Sequence, residues 1–166
     1  MKTLHVVAGM FIAASLLLAG CGKSDEIKKL EASMNTEVMQ KHDDLMKAMS
    51  GLDAAGEELK AALSKHDSLA KLFPKEFAGH ETTDLIAANQ KLEAAKASMM
   101  TWMKGFKPYD PLAKHEEVLS LLKKTLTDLG VVEQQFQEAR AAATEAIAAH
   151  AKATDELTAK LPKKKK

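Results

Sequence analysis

Thioether sulfur and imidazole nitrogen concentrate in two short stretches of this chain. The first is Met39-Gln40-Lys41-His42-Asp43-Asp44-Leu45-Met46-Lys47-Ala48-Met49. In it Met39, His42, Met46 and Met49 follow at intervals of three, four and three residues, so they share one helix face. The second stretch is Met99-Met100-Thr101-Trp102-Met103. Thioether and imidazole together suit a soft ion, Cu(I) or Ag(I), and a neighbouring indole face supports a cation. The same residues also suit plain packing, because methionine fills irregular helix junctions and a histidine on an apolar stripe is commonly a core residue. A third chemical group stands apart from both stretches. The only cysteine closes a short apolar run as Leu18-Ala19-Gly20-Cys21.

Lys2 and His5 precede a nearly unbroken apolar stretch over residues 6–19, the layout of a secretory signal and too short for a stable membrane span. With small residues leading into a cysteine, the segment resembles the lipobox of bacterial lipoproteins. That resemblance implies a signal peptide at residues 1–20 that is removed, a diacylated Cys21 thiol, and a chain held to the membrane through that lipid. Gly22 stands where some lipoproteins carry the aspartate that retains them at the inner membrane, which points to the outer membrane. Asp25 and Glu26 faintly resemble a surface-export signal. Residues 21–26 then form a polar leader between lipid and fold.

Bulk composition narrows the remaining possibilities. Without Lys2 the basic and acidic residues are matched at 23 each, so no global field selects nucleic acid or an acidic ligand. A lipidated Cys21 leaves no thiol for disulfides, and stability must come from packing. Aromatic residues make up only 4% of the chain while Ala and Leu abound, a composition that favours long helices over sheets.

The elements that must position the sulfur and imidazole groups follow from periodicity. Ile27, Leu30, Met34, Val38, Leu45, Met49, Leu52, Leu59 and Leu63 recur at helical spacing and predict one long helix over about 27–72. Ser50-Gly51 and Gly56 weaken it and are candidate bends, each glycine costing about 1 kcal/mol relative to alanine. Phe73-Pro74-Lys75-Glu76-Phe77-Ala78-Gly79-His80 is the first connector. Thr82 or Thr83 can cap a second helix over about 83–104 with the inner stripe Leu85, Ala88, Leu92, Ala95, Met99, Trp102. Gly105 suits a left-handed position past its end, Phe106 can pack back on the last turn, and Pro108 forbids continuation. Asp110-Pro111 predicts a cap and first helical residue for a third helix over about 111–161. In it His115, Leu122, Leu129, Phe136, Ala143, His150 and Leu157 recur every seventh residue, flanked by Leu119, Leu126 and Ile147. The expected fold is therefore all-α, an elongated antiparallel three-helix bundle with coiled-coil-like packing over 27–161, followed by a solvated lysine tail at 162–166.

Antiparallel folding about residues 77 and 108 places Met46, Met49, Met103, Trp102 and His115 in adjacent layers. The candidate soft-metal set is Met46, Met49, Met103 and His115, with His42, Met39, Met99 and Trp102 in support and Cu(I) as its cofactor. His66, His80 and His150 are far apart along the chain and read as surface or ordinary core.

His42-Asp43-x-Leu45-Met46-x-x-Met49 and Met99-Met100-x-Trp102-Met103-x-x-Phe106-Lys107-Pro108 resemble motifs of small bacterial lipoproteins commonly labelled viral A-type inclusion protein. The similarity covers about residues 34–147, most of the mature chain. It implies a lipobox and long helices, and it brings no catalytic residue, since the family's biochemical role is unassigned. The Ala-rich last helix and the lysine tail depart from it. The chain carries no Gly-rich phosphate loop, no His-Glu-x-x-His helix and no nucleophile elbow. Asp43-Asp44, Glu57-Glu58 and Glu116-Glu117 are adjacent pairs that split across helix faces. The expected function is a non-catalytic, membrane-anchored envelope lipoprotein acting as a structural or partner-binding module. The alternative is soft-metal binding. Nucleic acid fails as a partner on compartment, neutrality and the lack of aromatic platforms.

Overall fold

Three helices, α1 (Leu4–Leu72), α2 (Thr83–Gly105) and α3 (His115–Ala159), account for nearly all of the backbone in the computed structural model of this chain. The structure describes the backbone over residues 4–161 and side chains over 24–161. The expected signal peptide, the expected lipidation site at Cys21 and the lysine tail at 162–166 lie outside the described side chains. No strand occurs among the described residues, and the fold is all-α with the three helices packing against one another. Among the described residues no helix is long and apolar enough to cross a membrane.

The seven-residue stripe of α3 is the packed one. Leu122, Leu129, Phe136, Ala143 and His150 are buried, and Leu157 is half-buried. The α2 stripe is equally clear, with Leu85, Ala88, Leu92, Ala95 and Met99 buried and Trp102 half-buried. In α1 the buried positions differ from the expected set. Leu30 is 50% exposed, while Glu31 beside it is 1% exposed. Apart from Gly56, the buried residues of α1 run Glu31, Val38, Leu45, Leu52, Leu59 and His66, again seven apart. Two helices lying side by side at a small crossing angle select that spacing over the looser pattern of apolar residues. Each fully buried leucine of this kind contributes about 1.5–3 kcal/mol of transfer free energy.

Two compact units divide the chain, Met1–Lys41 with Lys107–Thr127, and His42–Phe106 with Asp128–Lys166. The first buries Glu31, Val38, Val118, Leu122 and Thr125. The second holds most of the remaining core and all of α2. There Lys96 bridges Asp53 of α1 at 3.1 Å and Glu93 of its own helix at 2.8 Å.

Several local expectations need correction. α1 continues without interruption through Ser50-Gly51 and Gly56, because helical packing outweighs the glycine cost. Gly105 is helical and not left-handed. Phe106 caps α2 in an extended conformation, its N–H donating to the Met103 carbonyl, while its ring stacks on Trp102 with centroids 5.0 Å apart. Thr82 occupies the N-cap position of α2 without a side-chain cap bond, and the Thr83 hydroxyl instead lies 3.2 Å from Glu81 Oε2. α3 begins at His115, not at 111. The Asp110 carboxylate accepts from the Leu112 N–H at 2.9 Å and the Asp110 carbonyl from the Ala113 N–H at 3.3 Å. Those bonds close a turn over Pro111, so the aspartate that resembles a helix cap makes an Asx turn one step earlier.

Candidate metal centre

The connector between α1 and α2 is built to deliver one imidazole. Past Leu72 the chain turns back on itself through Phe77 N–H to Phe73 O and His80 N–H to Phe77 O, both 3.1 Å. Gly79 sits at φ +80°, a left-handed conformation that an L side chain adopts only with strain. That glycine reverses the chain so that His80 points back to the helices. Phe77, 4% exposed, packs edge-on to His66 with ring centroids 5.7 Å apart and to His80 at 6.1 Å.

His66 from α1 and His150 from α3 complete the group. Ring centroids lie 5.4 Å apart for His66 and His80, 5.2 Å for His66 and His150, and 5.2 Å for the stacked rings of His80 and His150. One ring nitrogen from each of the three falls within 4.8 Å of the other two. His66 and His150 are buried and His80 is half-buried. Among the described residues Nδ1 of His66 and Nε2 of His80 are buried without a hydrogen-bond partner. Each such orphan costs about 1–3 kcal/mol. The Thr154 hydroxyl lies 3.3 Å from His150 Nε2. Burial, then the neighbouring His66, His80 and Lys65, hold His150 below the ordinary imidazole pKa, which favours its neutral form.

A cleft of about 210 Å³ opens onto His80 and His150 and is also lined by Glu81 and Asp84. It gives the cluster a route to solvent with two carboxylates at its wall. Together the group offers three imidazole nitrogen donors, a path for entry and acidic residues nearby.

His66 and His150 are core residues, as one of the two expected readings has it, but the three histidines are not scattered in space. They are 14 and 70 residues apart along the chain, and only folding joins them. One signal was present: His150 falls on the seven-residue stripe of α3, and His66 terminates the corresponding stripe of α1.

The sulfur-rich set is placed differently. His42 stacks on Trp102 with centroids 5.6 Å apart, and its Nδ1 lies 2.9 Å from the exposed Asp43 carboxylate. Met46 and Met39 are 39% and 41% exposed, Met49 and Met103 are half-buried, and Met99 is fully buried in the core of its own unit. His115 belongs to the first unit, where its Nδ1–H donates to Glu31 Oε1 at 2.8 Å. The two pairs of α1 and α3, Glu31 with His115 and His66 with His150, share a separation of 84 residues. Leu45, Leu52 and Leu59 hold the same offset to Leu129, Phe136 and Ala143, and all six are buried. Each unit thus carries one polar layer between α1 and α3, and in each the paired residues lie 84 apart in sequence. The chain matches no protein-family model, no curated protein and no solved structure.

Proposed function

We propose that this chain is a bacterial envelope lipoprotein, anchored through diacylated Cys21, whose helical domain works as a non-catalytic structural or partner-binding module. The observation that carries the reading is Leu18-Ala19-Gly20-Cys21 at the end of a short apolar run. The family of small lipoproteins labelled viral A-type inclusion protein fits the same motifs and belongs to this proposal. So does residence at the outer membrane, from Gly22. The all-α fold supports the module reading, since long packed helices present extended surfaces and stand away from an anchor. Eighteen residues of helix separate Cys21 from Met39, roughly 27 Å at 1.5 Å per residue.

The Cu(I) alternative has less support. With His115 Nδ1 bonded to Glu31, only Nε2 of that ring is left for an ion, and Met46 lies at the surface.

Metabolic labelling with an alkyne fatty acid tests the anchor. Wild type is expected to take up the probe and partition with membranes, and Cys21→Ser to lose both. A Cys21→Ser protein that is still labelled overturns the anchor. Crosslinking in intact envelopes tests the module: a specific partner supports it, and recovery of abundant bystanders alone counts against it.

A further inference from the structure

We infer that His66, His80 and His150 form a three-histidine site for a divalent transition-metal ion of the zinc class, with a fourth coordination position open to the cleft beside Glu81 and Asp84. The site is distinct from the sulfur-rich face and independent of the lipid anchor.

Geometry supports it first. Three donor nitrogens within 4.8 Å of one another place an ion at their centre no more than about 2.8 Å from each. Zinc–imidazole bonds are about 2.0–2.1 Å, so each ring has to move inward by less than about 1 Å. Rotation of the rings about their side-chain torsions covers that distance without moving a helix.

Donor chemistry supports it second. Packing alone gives no reason to gather three imidazoles at one level. At the levels between Glu31 with His115 and His66 with His150 the two stripes use Val, Leu, Phe and Ala, which fill space without orphaned polar atoms. Here two ring nitrogens are buried with no partner among the described residues. A cation coordinated by the cluster supplies the partner that these nitrogens lack. Three nitrogen donors without sulfur select a borderline ion such as Zn(II), Cu(II), Ni(II) or Co(II) over Cu(I).

Access supports it third. The cleft reaches His80 and His150, and Glu81 and Asp84 line it. Those carboxylates raise the local cation concentration and can hold a water on the ion by hydrogen bonding. Three protein ligands with an open fourth position describe an exchangeable site, in contrast to a closed structural one.

The test uses the untagged full chain in detergent, stripped of metal and titrated with Zn(II) and, separately, Co(II). The expected result is one equivalent of Zn(II) bound with sub-micromolar affinity by calorimetry and a rise in melting temperature of about 5–10 °C at saturation. Co(II) is expected to give the intense visible band of a tetrahedral site. His80→Ala removes a ligand from the connector and leaves α1 and α3 intact; it is expected to weaken Zn(II) at least 100-fold with helicity unchanged. Met46→Leu combined with Met103→Leu is expected to bind as wild type does. Affinity that is unchanged in both His80→Ala and His150→Ala overturns the site. If those variants lose helicity, the wild-type Co(II) spectrum decides, and a weak octahedral spectrum overturns it.

Discussion

Each of the two compact units carries one polar layer in the α1–α3 register, and the two layers are resolved in opposite ways. In the first, an acid meets a base: the Glu31 carboxylate, 1% exposed, accepts from His115, and Tyr109 adds a second contact. Burial and the neighbouring Glu31 charge hold the Tyr109 phenol above its ordinary pKa. In the second, three bases meet one another, and two of their nitrogens are left without partners. A closed pair specifies register, because a slip strands a buried charge. A cluster of like donors specifies nothing by itself and gains its complement from outside the chain. Polar residues at equivalent heptad positions thus serve two different ends, and partner chemistry decides which.

The sharpest way to break the comparison is to strand the acid. His115→Leu leaves the Glu31 carboxylate buried without its base. It is expected to cost about 2–3 kcal/mol in urea unfolding, below the usual loss for a broken buried pair because His115 is about one-third exposed and Tyr109 remains. Combining it with Glu31→Leu should recover most of that loss, since an apolar pair replaces an ionic one at little cost. Failure of the double variant to recover would show that Glu31 stabilises the fold chiefly through Tyr109 and not through His115.

Adding metal should separate the two layers almost as widely. Zn(II) at a hundredfold excess over its dissociation constant is expected to raise unfolding free energy by about 2.7 kcal/mol, and a chelator to remove the gain. Glu31→Leu/His115→Leu should show the same gain. A gain lost in that variant would link the ion to the first layer.

Without metal, the second layer should behave oppositely to the first. His66→Leu removes an unsatisfied buried nitrogen and is expected to stabilise the metal-free chain by about 1 kcal/mol in urea. A loss of similar size would make His66 a well-satisfied core residue.

The smallest expected effect is on pH. His150 is held below the ordinary imidazole value of 6.5, chiefly by burial and then by His66, His80 and Lys65. The unfolded chain therefore takes up its proton first as pH falls, so this contribution is complete above about 6.5 and lost progressively below it. Melting temperatures of the metal-free chain from pH 8 down to 5 should fall, and less steeply in His150→Gln. An equal slope in the two would assign the loss to other groups.

Much of the fold was legible because helix signals are local. The stripes of α2 and α3 were readable from spacing, and so was the Pro74–Gly79 break between helices. Caps were read less well. Asp110-Pro111 has the composition of a helix start and of an Asx turn alike, and Gly105 stands where a left-handed residue is common yet stays helical. In α1 several apolar faces compete, so Leu30 was expected inside where Glu31 is buried instead.

The candidate site was far less legible. Sulfur and imidazole crowd together along the sequence around Met39–Met49 and Met99–Met103. Histidines 66, 80 and 150 show no density at all. By itself the sequence determined the lipobox pattern, the helical class and the seven-residue stripe of α3, because each follows from neighbours within a few turns. Only the tertiary structure decided which face of α1 is buried, that Glu31 takes His115, and that three distant imidazoles share one layer. Those outcomes depend on the 84-residue register between α1 and α3 and on the left-handed turn at Gly79. Within each unit the register is set by packing between helices, and no local stretch of residues encodes it.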